Sequence, residues 1–174
     1  MKIPRYLGAV KKKRAAPRDD DWPERLERFL ESPLALRASA GLSDRIGIAV
    51  HVDGEDFFFG RKKGVNTLTR VEQARPDVHF WVPLSTLRHL LGLAELEQTG
   101  IGTIGVAIFE HIFTKDEARK IKFRVDTGFL GLWSKGYFSV LKAGGPEVAS
   151  YLARFGFDGL SAIKEVLRKI RPQG

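Results

Sequence analysis

The run from Arg45 to Val82 constrains the fold more than any other part of the chain. "RIGIAVHV" alternates Ile46, Ile48, Val50 and Val52 with Gly47, Ala49 and His51, the period-two pattern of a strand with one large-residue face. Asp53-Gly54 comes next, and both positions tolerate positive φ, so a two-residue hairpin turn is predicted there. "EDFFFG" then returns antiparallel, "RKKG" is a second turn and "VNTLTRV" a third strand. "DVHFWV" (77–82) is a fourth, with Val78, Phe80 and Val82 facing one way and His79 and Trp81 the other. Consecutive strands with short turns make a meander, not a βαβ unit.

Around this run the period is helical. Asp21 is the expected N-cap of a first helix, with Pro23 in its first turn and Glu24 at capping-box spacing. Leu26, Phe29 and Leu30 form its apolar stripe, and Ser32-Pro33 is expected to stop it. "PLSTLRHLLGLAEL" sets Leu84, Leu87, Leu91 and Ala94 at helical spacing, and Ile104, Ile108, Phe109 and Ile112 repeat the pattern. "KDEARK" continues as helix or turn, "IKFRV" alternates as a strand, "GFLGLW" is a short apolar turn or helix, and "GYFSVL" reads as another strand. "PEVASYLARF" and a segment through Leu160, Ile163, Leu167 and Ile170 are amphipathic helices. The sum is an α+β domain: a largely antiparallel sheet of about five strands with helices packed on one face.

Charge divides the chain in two. The net charge is +8, yet residues 1–18 hold seven of the 29 basic side chains and none of the 21 acidic ones, so the remainder is nearly neutral. A basic, flexible arm (1–18) ahead of one domain (19–174) is expected. A globule of this length buries roughly 70% of its unfolded surface, enough for a core without cross-links. There is no cysteine, which excludes disulfides, thiolate zinc sites and cysteine nucleophiles. "YLGAV" is too short for the apolar region of an export signal and runs into "KKKR", giving the expectation of a soluble, cytoplasmic protein.

"TGIGTIG" (99–105) matches the spacing of a dinucleotide loop. Such a loop must leave a strand and open a helix, whereas the residues before it, "LLGLAELEQ", read as the end of a helix. The expectation is that Gly100 caps that helix, while Gly102 and Gly105 let the chain turn and pack closely against a neighbour. His51, His79, His89 and His111 occur singly, without a partner at ligand spacing. They read as structural or surface histidines, with His79 on the Trp81 side of its strand. "DGED" lacks the rest of a calcium loop, and there is no G-x-S-x-G elbow or S-x-x-K pair. No catalytic residue, metal or cofactor is expected.

Two blocks carry a family resemblance. "RPDVHFWVPLSTLRHLLG" (75–92) resembles the signature of the sterol-carrier-protein type (SCP2-like) lipid-transfer domain, in which a strand opening with Ala-Asp or Pro-Asp runs into a Leu- or Phe-rich helix. "GYFSVLKAGGPEVASYLARF" (136–155) is similar to that family's closing strand and amphipathic helix. The layout matches over roughly residues 21–155, but between Leu91 and Gly136 the chain is longer than the family usually is. The resemblance implies a five-stranded, largely antiparallel sheet, helices on one face and an apolar tunnel between them. It also implies binding or transfer of a sterol, fatty acid or acyl chain without covalent chemistry. Leu84, Leu87 and Leu91 from the first block and Val148, Leu152 and Phe155 from the second are the candidate lipid contacts. Ile108, Phe109, Ile112 and Trp133 join them from the longer segment. The same spacing serves core packing, which is the commoner use of such positions.

Lys11, Lys12, Lys13 and Arg14, with Tyr6 and Leu7 nearby, admit three roles: a solubilising tail, contact with an anionic membrane surface and contact with nucleic-acid phosphates. The alternative to lipid binding is therefore a nucleic-acid- or protein-interaction domain acting through this arm. Oligomeric state stays open.

Overall fold

The computed structural model describes residues 21–71 and 75–157. The expectations for the basic arm and for the helix through Leu160 and Ile170 lie outside the described residues. Asp53 (φ 50°) and Gly54 (φ 80°) make the two-residue turn between β1 (Ile48–Val52) and β2 (Glu55–Lys62), pairing Val52 with Glu55 and Ile48 with Phe59. Lys63 (φ 52°) and Gly64 (φ 76°) repeat it before β3 (Val65–Thr69). Two successive positive φ values match the right-handed twist of the flanking strands. Asp44 accepts from both amides of this second turn, Lys63 N at 2.8 Å and Gly64 N at 3.1 Å.

β4 (Val78–Trp81) lies parallel to β1, and β5 (Lys122–Val125) is antiparallel to β4, so the strand order is β3-β2-β1-β4-β5. The fold is α+β with a largely antiparallel sheet, as expected, and one parallel joint at its centre. One face of the sheet meets helices in two clusters. Over β1–β3, α1 (Trp22–Leu30) and α3 (Leu84–Ala94) bring Trp22, Leu26, Leu87 and Leu91 onto Val50, Val52, Phe57 and Leu68. Trp22 meets Phe57 edge-on at 5.1 Å. Over β4 and β5, α5 (Phe129–Ser134) and α6 (Tyr137–Ala143) pack Phe129, Leu132, Phe138 and Leu141 onto Val78, Phe80 and Val125. Each fully buried side chain of this size contributes about 1.5–3 kcal/mol. These clusters hold the helices in place. α4 (Ile101–Phe113) and α7 (Gly145–Ala153) form a closely packed pair, and α4 also touches α2 (Pro33–Ser39), α3 and α6. Among the described residues, no helix is long and apolar enough to cross a membrane.

Four local expectations are corrected. "GYFSVL" is helical and not a strand: Gly136 turns the chain at φ 83°, and Tyr137, Phe138 and Leu141 then present helical spacing to the second cluster. Its alternation was compatible with both periods, and burial against the sheet selects the helix. Ser32-Pro33 ends α1 but also starts α2, because Ser32 Oγ accepts from Ala35 N at 3.2 Å and Pro33 takes the first helical position. Asp21 precedes α1 without a side-chain capping bond, its ψ of 15° being far from the extended geometry a cap requires. Gly100 does not end α3, which stops at Ala94; it is the extended N-cap residue of α4.

Candidate functional site

Where α1 crosses α3, a surface cleft of about 240 Å³ opens, lined by Arg25, Arg28, Phe29, Leu91, Ala94 and Glu95. The helical period produces it. Arg25 and Arg28 stand three apart on α1, while Leu26, Phe29 and Leu30 turn toward the core cluster. Leu91, only 3% exposed, belongs to that cluster and also forms part of the floor. Arg25 closes one side through a two-pronged ion pair, Nε to Glu95 Oε1 at 2.8 Å and the second nitrogen to Oε2 at 2.9 Å. This planar fork fixes both side chains. The result is an apolar floor of Phe29, Leu91 and Ala94 under a charged rim.

The ten candidate lipid contacts fall in three places. Leu84, Leu87 and Leu91 sit in the α1–α3 cluster, packed with Trp22, Leu26, Val52 and Phe57. Ile108, Phe109 and Ile112 on α4 are half-buried, as is Leu152 on α7, and Val148 is buried between these two helices. Phe155, 49% exposed, stacks on Phe113 at 5.0 Å, and Phe113 also stacks on Phe109. Trp133 is 55% exposed on α5, beside Phe129 and Phe138. The structure does not bring the ten together around one space. Of them, Leu91 alone lines the cleft, and Arg25, Arg28 and Glu95 were missed in the sequence. Their signal was present: two arginines three apart, just ahead of Phe29 on an amphipathic helix. Lys11, Lys12, Lys13 and Arg14 lie outside the described residues.

Gly102 and Gly105 of "TGIGTIG" work as close-packing positions, as expected, whereas an added Cβ at Gly100 would meet nothing within 4 Å. A Cβ at Gly105 would stand 2.7 Å from Val148 Cγ2, and one at Gly102 would stand 2.8 Å from the Gly144 carbonyl oxygen. Two glycines inside α4 cost about 1 kcal/mol each in helix propensity, and contact with α7 offsets that.

The Asp of the "RPDVHFWV" block is the centre of a buried polar network. Asp77, 5% exposed, accepts from Gly47 N at 3.1 Å, from Tyr137 Oη at 2.8 Å and from Lys135 Nζ at 2.6 Å. Burial, and then the bond to Asp77, push the Tyr137 hydroxyl pKa far above its ordinary value, so it stays a donor. No family model, curated protein or solved structure matches this chain.

Proposed function

We propose that the protein is a non-enzymatic lipid-binding module that takes the anionic end of an acyl chain at the α1–α3 cleft. The observation that carries this reading is the position of Leu91: a residue singled out as a lipid contact lines the same cleft as Arg25 and Arg28. The apolar floor favours methylenes at about 0.8 kcal/mol each. A guanidinium at the rim suits a carboxylate or phosphate oxygen pair. At about 240 Å³ the cleft is smaller than the ~300–1,000 Å³ of sites that enclose a drug-sized ligand, so it holds one end of a chain. The five-stranded, largely antiparallel sheet with helices on one face supports the reading. The second block, however, for which the resemblance implies a closing strand, is helix α6, and the cleft lies between two helices, not between helices and sheet. For the basic arm, the partner proposed is an anionic membrane surface, with about 1 kcal/mol gained per Lys or Arg near it.

A fluorescent fatty-acid analogue with a free carboxylate tests the cleft directly. Binding is expected in the full chain, weakened about tenfold by Arg28→Glu, which corresponds to ~1.4 kcal/mol, and lost in Ala94→Trp, which fills the space. An absence of binding, or binding indifferent to both substitutions, refutes the reading. Co-sedimentation with anionic vesicles, with and without residues 1–18, tests the arm separately.

A further inference from the structure

On the sheet face opposite the two helix-covered clusters, strand register assembles a line of polar side chains that none of the preceding chemistry uses. Asp56 on β2 pairs with His51 on β1, His51 lies opposite Trp81 on β4, and His79 on β4 lies opposite Arg124 on β5. The contacts run in series. His51 Nδ1 is 2.7 Å from Asp56 Oδ1, His51 Nε2 is 3.1 Å from His79 Nδ1, and His79 Nε2 is 3.1 Å from Asp126 Oδ2. Arg124 grips Asp126 from the far side with two bonds of 2.8 and 2.9 Å. The two imidazole planes are parallel to within 1°, and the Trp81 ring lies 4.8 Å from His51 at 16°.

Counting protons decides what this line requires. Both outer contacts run to ionised carboxylates, which only accept, so His51 Nδ1 and His79 Nε2 must each carry a hydrogen. The inner contact also needs one hydrogen, on either His51 Nε2 or His79 Nδ1. Three hydrogens on four ring nitrogens means one imidazolium and one neutral imidazole. With no extra proton, one of the three contacts loses its donor. With two extra protons, the inner nitrogens both carry hydrogen and turn from partners into opponents.

We propose that His51 and His79 form a one-proton latch across the β1–β4 junction, closed while the pair holds a single extra proton and opened by its loss or by the gain of a second. The location gives the latch consequence. β1–β4 is the parallel joint between the β1–β3 meander and β4–β5, and Val82 N donates to His51 O at 2.9 Å beside it. Among the described residues, the charged groups facing the pair are Asp56 from β2 and Asp126 and Arg124 from the β5 side. Arg75 acts on Asp126 from ahead of β4, and Lys122, opposite Trp81, is engaged by Glu117. Two carboxylates favour the first extra proton. Burial, then Arg124, then the second histidine's own charge oppose its arrival on His79. The side chains of His51 and His79 remain 21% and 14% exposed, so solvent protons reach them.

The test is a titration of the full chain followed by long-range ¹H–¹⁵N spectra of the histidine rings and by exchange protection of the Val82 amide. Two linked steps are expected, with one ring charged and the other neutral between them, and with Val82 protection highest in that interval. In His51→Gln the two steps collapse to one and the Val82 maximum is lost. Should that variant not fold, Asp56→Asn, at an exposed position, removes one anion facing the pair and is expected to move the upper step down. Independent single titrations of the two rings, protection of Val82 that is flat across this range, or an upper step unmoved in Asp56→Asn overturns the latch.

Discussion

The Tyr137 hydroxyl donates a 2.8 Å hydrogen bond to Asp77 Oδ2, and that bond joins the two separated sequence blocks on which the lipid-carrier resemblance rests. Lys135 and the Gly47 amide complete the grip on the same carboxylate, so the start of β1, the start of β4 and the α5–α6 junction meet at one side chain.

Removing either partner is expected to destabilise the fold by different amounts. Tyr137→Phe takes away one donor to a charged acceptor that keeps two others, a loss of about 1.5–3 kcal/mol. Asp77→Ala takes the shared acceptor from an ammonium and an amide, leaves the Tyr137 hydroxyl only its longer 3.3 Å contact to Gly47 O, and costs about 3–5 kcal/mol. Urea unfolding midpoints of the two variants measure the difference, and equal losses would contradict this account.

Gly136 and Gly92 are expected to respond oppositely to the same substitution. Gly136 sits at φ 83°, and an added Cβ would stand 2.0 Å from the Gly41 carbonyl oxygen, so Gly136→Ala requires the backbone to move and destabilises strongly. Gly92 lies in α3 with no atom within 4 Å of its added Cβ, and Gly92→Ala is expected to stabilise by about 0.5–1 kcal/mol. Thermal unfolding of the two variants, side by side, checks both signs.

The α4–α7 contact predicts a rescue. Gly105→Ala forces a methyl against Val148 Cγ2 and is expected to cost about 1–3 kcal/mol by overpacking. Val148→Ala alone leaves a cavity, but combined with Gly105→Ala it gives back part of the loss. A double-mutant cycle showing simple additivity would mean that the two positions do not touch in solution.

Below the interval in which the His51–His79 pair holds its one extra proton, stability is expected to fall in two stages as the solution is acidified. Burial, then Arg124, lower the His79 pKa from its ordinary 6.5, and burial, then His89, do the same for His111. Below about pH 6.5 the unfolded chain therefore binds protons that the folded chain refuses, and stability declines until the lowered folded values are passed. Asp126, held down chiefly by its bond from Arg124, adds a further decline as pH drops below the ordinary carboxylate range and through its lowered value. Denaturation midpoints at pH 8, 6, 4.5 and 3 trace this course. His79→Gln is expected to flatten the first stage, and an unchanged slope would remove His79 from the explanation.

What local chemistry governs was readable from the chain. Asp53-Gly54 announced the hairpin because two positive φ values are tolerated there, and Leu84, Leu87 and Leu91 announced α3 because one face of a helix repeats at that spacing. Charge counted along the chain placed seven basic and no acidic side chains in residues 1–18. What depends on pairing between distant segments was decided only by the tertiary structure. "GYFSVL" became a helix because the sheet offered it an apolar face and Gly136 could turn the chain beneath Gly41. His51 and His79 stood as two isolated histidines until parallel register set β1 beside β4 and brought their rings within 3.1 Å. Arg25 met Glu95, seventy residues on, only when α1 crossed α3. Periodicity and turn chemistry are properties of neighbouring residues, whereas a site is made of side chains that share a few ångströms of space, and burial across the whole chain determines which ones do.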